Sequence, residues 1–142
     1  MARTLGCCLV IWTALVVLAG CQRGQAALIP VSGRVFYKQV LLQGGTIVFT
    51  PDPSRGENGP VALGKINTDG SYHLFTGDLV GAPAGHYRVT VNWLAPSGVQ
   101  PPGQLVNTPY SYLPDKYRDP QLSELACEVK AAKPNAIDFN LD

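Results

Sequence analysis

Hydrophobic and polar residues alternate along most of the chain after residue 28. Five segments carry apolar residues at every second position with polar residues between them, which is typical of strands with one packed and one wet face. The apolar positions are Val31, Val35 and Tyr37; Ile47 and Phe49; Tyr72 and Leu74; Tyr87, Val89, Val91 and Trp93; and Ile137, Phe139 and Leu141. A weaker strand is predicted over 61–67, where Ala62, Gly64 and Ile66 share one face.

Turn-forming residues separate these segments. Gly44-Gly45 precedes one strand, residues 51–60 form a loop rich in proline and glycine, and Asn67-Thr68-Asp69-Gly70 is a tight hairpin signal. The chain holds 15 glycines and 12 prolines, and no segment shows sustained helical periodicity. Short strands at this spacing predict an all-β fold, an antiparallel seven-stranded β-sandwich. Roughly 115 residues are enough to bury one core without disulfides or metal.

The first twenty residues have a different pattern. Arg3 is followed by an apolar run from Leu5 to Ala19, which ends in small residues before Cys21. A charged start, an apolar middle and a small-residue exit are typical of a secretory signal. The alternative is a transmembrane anchor, but the run is shorter than the ~20 residues needed to span a bilayer. We therefore predict that residues 1–20 are a cleaved signal peptide.

The end of this segment, Leu18-Ala19-Gly20-Cys21, resembles the lipobox of bacterial lipoproteins. The resemblance implies that the Cys21 thiol receives diacylglycerol, that cleavage falls between Gly20 and Cys21, and that the new amine is acylated. Two or three acyl chains anchor a protein stably, whereas one binds only marginally. The chain is then divided into a signal peptide (1–20), a lipidated tether (21–28) and a domain (29–142). It is expected in the cell envelope, anchored to a bacterial membrane on its periplasmic or outer side.

Charge and cysteine content bear on the possible partners and on the number of free thiols. The formal net charge is +1, and removal of Arg3 leaves ten basic and ten acidic side chains with no basic run. A nucleic-acid partner is therefore not expected. Cys7 and Cys8 leave with the signal and Cys21 is lipidated, so Cys127 alone remains as a thiol. Because it alternates with polar residues, we expect Cys127 to be buried on the apolar face of a strand.

Residues suited to catalysis or metal binding are sparse. His73 and His86 both fall on the wet side of their strands, and no nucleophile motif or phosphate loop is present. The loop aspartates are scattered, whereas a calcium site needs six or more clustered oxygens; a calcium site is the minor alternative to turn formation by these residues. They are Asp52, Asp69, Asp78, Asp115 and Asp119. We expect no enzyme activity, metal or cofactor.

Three segments carry a family resemblance: VSGRVFYKQVLLQGGTIVFTPD, ALGKINTDGSYHL and GAPAGHYRVTVNW. They resemble the carboxypeptidase regulatory-like domain of the transthyretin-like (prealbumin-like) group of Ig-like β-sandwiches, especially small lipoproteins abundant in planctomycete bacteria. The resemblance covers roughly residues 29–142. Its clearest marks are Gly70-Ser71-Tyr72 and Gly85-His86-Tyr87, where each tyrosine is expected to pack inward with its hydroxyl reaching backbone. It implies a fold and an envelope location, but no reaction.

The long irregular segment 95–123 is the candidate binding loop. It holds six of the twelve prolines together with Tyr110, Tyr112 and Tyr117. These tyrosines either form a surface for a partner or pin the loop onto the sandwich edge, and pinning is favoured.

Three hypotheses on function follow. The favoured one is a non-enzymatic envelope lipoprotein whose domain is a protein-binding or structural module. The second is a carbohydrate-binding module that holds polysaccharide, and the third is a hydrolase with an unrecognised site. A flat exposed platform of Trp93, Tyr110 and Tyr112 would favour sugar binding, and burial of this set would count against it.

Overall fold

The computed structural model describes residues 26–94, 103 and 110–142. Within these ranges the chain is mostly β, with two short 3-10 helices (Pro53–Arg55 and Asp115–Arg118) and no α-helix. None of the described residues belong to a helix that could span a membrane. The strands are β1 (Leu28–Ile29), β2 (Val31–Tyr37), β3 (Val40–Leu41), β4 (Thr46–Pro51), β5 (Ala62–Lys65), β6 (Ser71–His73), β7 (Phe75–Thr76), β8 (Leu79–Val80), β9 (Ala82–Pro83), β10 (Gly85–Asn92), β11 (Ala126–Val129), β12 (Asn135–Ala136) and β13 (Phe139–Leu141).

Two sheets make up most of the domain. The larger has the order β11-β10-β4-β5-β7-β8, and all its pairings are antiparallel. The smaller has β2 at its centre, paired with β3, β6, β12 and β13. In it β12 and β13 run parallel to β2, so the predicted antiparallel arrangement does not extend to these two pairs. Strands β1 and β9 form a separate antiparallel pair. The architecture is consistent with an all-β sandwich.

The predicted count of seven strands is not confirmed. The described part of the chain has thirteen strands, six of which are only two residues long. Three of these short strands, β7, β8 and β9, follow one another and are separated at Gly77 and Gly81, which have φ values of 60° and 107°. A positive φ is readily adopted by glycine and interrupts an extended strand. These two glycines therefore end strands at positions that the alternation of apolar and polar residues does not mark.

The core contains most of the predicted inward positions. Tyr37, Trp93 and Ile137 are partly buried against it. The remaining predicted positions are buried: Val31, Val35, Ile47, Phe49, Ala62, Gly64, Ile66, Tyr72, Leu74, Tyr87, Val89, Val91, Phe139 and Leu141. The Phe49 ring of β4 lies 6.2 Å from the Tyr72 ring and 5.8 Å from the Phe139 ring, measured between centroids. Because Phe49 belongs to the larger sheet and the other two to the smaller, these contacts join the sheets.

The two Gly-x-Tyr elements pack as expected. The Tyr72 hydroxyl donates to the Ile137 carbonyl oxygen at 2.7 Å, and the Tyr87 hydroxyl donates to the Pro83 carbonyl oxygen at 2.8 Å. Burial raises the pKa of both phenols, that of Tyr87 to about 12. Both tyrosines therefore have the inward packing and the hydroxyl-to-backbone bond that the sequence predicted.

The hairpin turn before β6 is also confirmed. Gly70 has a φ of 74°, and its amide donates to the Asn67 carbonyl oxygen at 3.0 Å. The Asp69 carboxylate accepts from the Ser71 amide at 3.0 Å and from the Ser71 hydroxyl. The hydrogen bonds from Ser71 lower the pKa of Asp69, so this loop aspartate forms a turn.

Candidate functional site

Three aromatic side chains lie together beyond the end of β10. The ring centroids of Trp93 and Tyr112 are 4.7 Å apart, and those of Tyr110 and Tyr112 are 5.5 Å apart. The backbone brings them together, because Leu94 forms an isolated bridge with Ser111 and the Tyr112 amide donates to the Trp93 carbonyl oxygen at 2.9 Å. We call Trp93, Tyr110 and Tyr112 the aromatic cluster.

The aromatic cluster is accessible, but it is not flat. Tyr110 and Tyr112 are each 38% exposed, while Trp93 is half-buried against the core. The Trp93 and Tyr112 rings are inclined by 44°, and the Tyr110 and Tyr112 rings by 79°. The cluster therefore has neither the single plane that would favour sugar stacking nor the complete burial that would count against binding.

A shallow depression lined by both polar and apolar side chains adjoins the cluster. Trp93 and Asn92 line it, with Thr46 of β4 and Lys65 of β5 on the neighbouring strands; Gly45, Leu63 and Leu94 complete the lining. Asn92, Thr46 and Lys65 are direct cross-strand neighbours, so their side chains share one face of the sheet. The Asn92 Oδ1 atom is buried and accepts no hydrogen bond from any described residue. The depression thus combines an indole, a cation and an amide.

The glycine pair before β4 makes room for this arrangement. A Cβ added at Gly44 would lie 3.1 Å from the Trp93 Nε1 atom, and one at Gly45 would lie 2.6 Å from the Asn92 carbonyl oxygen. Both glycines have positive φ, 148° and 113°. The sequence identified Gly44-Gly45 as a turn, and the structure adds that the absence of side chains admits the indole and the backbone of β10.

Tyr117, the third tyrosine of the candidate loop, is separate from this surface. It is only 3% exposed, and its hydroxyl accepts from the Asp142 amide at 2.7 Å and donates to the Asp142 carbonyl oxygen at 3.1 Å. Tyr117 therefore attaches its segment to the end of β13. The favoured prediction that the tyrosines pin the loop therefore holds for Tyr117, whereas Tyr110 and Tyr112 are exposed.

Several of the predicted features lie outside the described residues. These include the signal peptide, the cleavage position between Gly20 and Cys21, and the lipidation site Cys21 itself. Positions 95–102 and 104–109 of the candidate loop are also outside them.

The two histidines and the loop aspartates are not grouped into a metal site in the described part of the chain. His73 is exposed and His86 is half-buried. Within the described ranges, no three His, Cys, Asp or Glu side chains are placed to hold a metal ion.

Asp52 is the most buried of the loop acids, and it forms an ion pair that the sequence did not reveal. Its Oδ1 atom accepts from the Ser54 hydroxyl at 2.7 Å, the Ser54 amide at 3.0 Å and the Arg88 Nε at 3.1 Å. The hydrogen bond from the Ser54 hydroxyl, followed by Arg88, lowers the pKa of Asp52 against a desolvation that raises it. The carboxylate caps the first 3-10 helix, so its role is structural.

Cys127 has the environment of a packed side chain. It is half-buried in β11, between half-buried Leu125 and buried Val129 on the same face. Burial raises the pKa of its thiol to about 12. Since the thiolate is the nucleophilic form, the Cys127 thiol is a poor nucleophile near neutral pH.

The sequence pattern did not predict one exposed apolar surface. Leu63, Phe75 and Val80 are exposed side chains on β5, β7 and β8. The available signal was Leu63, an apolar residue alternating with inward-facing Ala62 and Gly64 and therefore on the wet face of its strand. Its partners are brought beside it by strand pairing, which the local pattern does not specify.

No protein-family model matches this chain, and no curated protein or solved structure matches it either. The resemblance to the carboxypeptidase regulatory-like domain stays a prediction from the sequence.

Proposed function

We propose that this protein is a non-enzymatic lipoprotein of the bacterial cell envelope that binds another envelope protein. The lipobox-like sequence Leu18-Ala19-Gly20-Cys21 supports the membrane anchor, with Cys21 as the lipidated residue after cleavage of residues 1–20. The β domain is the binding module, with the transthyretin-like fold of the carboxypeptidase regulatory-like group. It acts on the periplasmic or outer side of the membrane.

The observation that carries this proposal is the exposed aromatic cluster. Aromatic side chains supply a large contact area at low conformational cost, and they are enriched at the centres of protein interfaces. The 44° and 79° inclinations present ring faces and edges in different directions, which suits the uneven surface of a protein. Leu94, 42% exposed and bridged to Ser111, extends the apolar contact area beside the cluster.

A second candidate ligand is a polysaccharide of the envelope. The depression beside Trp93 presents the Lys65 ammonium and the Thr46 hydroxyl, and the buried Asn92 Oδ1 has no partner among the described side chains and backbone groups. Sugar hydroxyls pair with such groups, while the apolar face of a pyranose packs on an aromatic ring. This observation favours an oligosaccharide in the depression.

The anchor is tested by metabolic labelling with a fatty-acid analogue. The full chain is expressed in a bacterial host, and label on the protein is compared with that on the Cys21→Ala variant. We expect strong labelling of the natural sequence and loss of the label in the variant, because the variant lacks the acceptor thiol. Equal labelling of both chains would contradict lipidation at Cys21.

The binding function is tested by photo-crosslinking in the living host. A photoreactive phenylalanine analogue replaces Tyr112 in one variant and Val40, 66% exposed on β3, in the control. A protein partner predicts an adduct at position 112 that a protease digests and that is absent at position 40. A polysaccharide ligand predicts an adduct digested by glycosidases instead. Equal adducts at both positions, or none at 112, would contradict binding through the aromatic cluster.

A further inference from the structure

A row of exposed apolar side chains crosses the edge of the larger sheet. Leu63 pairs directly with Phe75 in the strand register, and Phe75 pairs with Val80. The exposed fractions are 50% for Leu63, 39% for Phe75 and 57% for Val80. Leu79, also 57% exposed, precedes Val80 in β8 and pairs with Thr76, so it projects from the other face of the same sheet edge. We call these four residues the apolar row; clustered exposure of this kind marks a contact surface.

The N-terminal end of the domain lies beside the β8 end of this row. Strand β1 pairs with β9, with Ile29 opposite Ala82, only two residues after Val80. The approach is close at Gly81, where an added Cβ would lie 2.5 Å from the Ile29 carbonyl oxygen. The chain therefore enters the domain beside the exposed end of the larger sheet.

The predicted tether is short compared with the domain. Residues 21–28 span seven peptide units, so even a fully extended tether reaches at most about 25 Å. A domain of this size has a radius of gyration of about 13 Å and a diameter greater than that reach. A lipid on Cys21 therefore keeps the side that carries β1, β8 and the apolar row nearest to the membrane.

We propose that the apolar row docks on the lipid bilayer to which the protein is anchored. This inference rests on the proposed lipidation of Cys21. The four apolar side chains enter the interfacial region of the bilayer, where burial of apolar area favours binding. Lys65 lines the same depression as Phe75 and Val80, so its aliphatic stem follows the apolar surface while its ammonium reaches the headgroups. Asp78 in the β7–β8 turn offsets this charge, so the contact is mainly apolar and depends weakly on salt.

Docking in this orientation leaves the aromatic cluster accessible. The cluster follows β10, and strands β4, β5 and β7 separate β10 from β8 in the sheet. Four strand spacings amount to about 19 Å. The β8 edge is thus well separated from the aromatic cluster, whereas Leu63 and Lys65 of β5 also line the depression beside Trp93, which lies nearer to the bilayer.

The test uses the mature lipoprotein in vesicles of phosphatidylethanolamine and phosphatidylglycerol. In a Cys127→Ala background, an environment-sensitive fluorophore is attached at Leu79→Cys or at Leu63→Cys. The matched control is Val40→Cys, on the other sheet and also exposed. We expect lipids with nitroxide-labelled acyl chains to quench positions 79 and 63 several-fold more than position 40, with little change at high salt.

Flotation and folding controls separate the two proposals. A chain that does not float with the vesicles contradicts the lipid anchor, whereas a floating chain with equal quenching at positions 79 and 40 overturns bilayer docking alone. Fluorescence at position 79 that responds to protein density but not to nitroxide lipid indicates contact between copies and also overturns docking. Circular dichroism of each labelled variant checks that the domain is folded.

Discussion

The Tyr72 hydroxyl donates a 2.7 Å hydrogen bond to the carbonyl oxygen of Ile137, 65 residues further along the chain. Tyr72 belongs to β6, and Ile137 lies between β12 and β13, so the bond joins segments on both sides of β2. A second contact of the same kind runs from the Arg34 amide to the Asp138 carboxylate at 2.7 Å. The C-terminal segment is therefore fixed to the smaller sheet by side chains as well as by strand pairing.

Replacing Tyr72 with phenylalanine should destabilise the domain. The Tyr72→Phe variant keeps the buried ring and removes the donor to Ile137, and such a loss typically costs about 1 kcal/mol in the free energy of unfolding. Chemical denaturation followed by circular dichroism measures the change. The control is Tyr110→Phe at an exposed ring, which should change stability by less than about 0.5 kcal/mol. Equal losses in the two variants would contradict a specific role for the Tyr72 hydroxyl.

Gly33 should not tolerate a side chain. It is opposite Tyr72 in the register of β2 and β6, and an added Cβ would collide with the Ile137 carbonyl oxygen and press on the Tyr72 ring. Relief of such overpacking requires a backbone shift, so Gly33→Ala should lower the free energy of unfolding by about 1–3 kcal/mol.

A matched glycine tests whether this cost is specific. Gly59 has no atom within 4 Å of an added Cβ and no positive φ, so Gly59→Ala should be neutral or slightly stabilising. Thermal unfolding of both variants gives the comparison. A Gly33→Ala chain that unfolds at the same temperature as Gly59→Ala would show that the close approach does not restrict position 33.

Asp52 should make stability depend on pH in the acid range. Its pKa is lowered in the folded protein by the Ser54 hydroxyl and by Arg88, so its stabilising effect is full above the unfolded carboxyl pKa of about 3.9. That effect is lost as the pH falls through the lower folded-state value. The Asp52→Asn variant lacks it, so natural and variant chains should differ most near neutral pH and converge in acid.

Denaturation of these two chains at a series of pH values measures the convergence. Asp69, whose pKa is also lowered, is present in both and cancels from the difference. A stability difference that stays constant from neutral to acid pH would show that the Asp52 charge does not contribute.

Thiol titration tests processing and burial together. The chain holds four cysteines, of which the proposal removes Cys7 and Cys8 by cleavage and blocks Cys21 with lipid. Purified denatured protein should therefore give one reactive thiol, Cys127, whereas an unprocessed chain would give four. In the folded protein at about pH 8, a pKa of about 12 leaves a thiolate fraction on the order of 10⁻⁴, so alkylation should be slow until denaturant is added.

Local alternation was sufficient to predict the inward faces of the strands. Phe49, Tyr72 and Val89 are buried where the period-two pattern places them, because one face of each strand must leave water. The same pattern does not determine which strands pair. The parallel partnership of β2 with β13 joins Val35 to Phe139, and no turn signal connects such distant segments.

The candidate site, too, depends on strand pairing that the local sequence pattern does not determine. Tyr110 and Tyr112 were identified from composition, but their contact with Trp93 depends on a bridge between Leu94 and Ser111 that follows no local rule. The apolar row depends on the same kind of information, since Leu63, Phe75 and Val80 are neighbours only through the register of three strands. The residue types therefore indicated which side chains could form a binding surface. Pairing between distant strands determined which of them lie together.

The parallel pairing of β2 with β13 also constrains the order in which the domain can fold. Strand β2 is the first long strand of the domain, and its partner β13 is contributed by residues Phe139–Leu141 at the other end of the domain. A polypeptide that emerges N-terminus first from a ribosome or a translocation channel cannot complete the smaller sheet until Phe139–Leu141 have emerged. Because long loops must close before such contacts form, folding of the domain should be slow and should be completed only once Phe139–Leu141 can pair with β2.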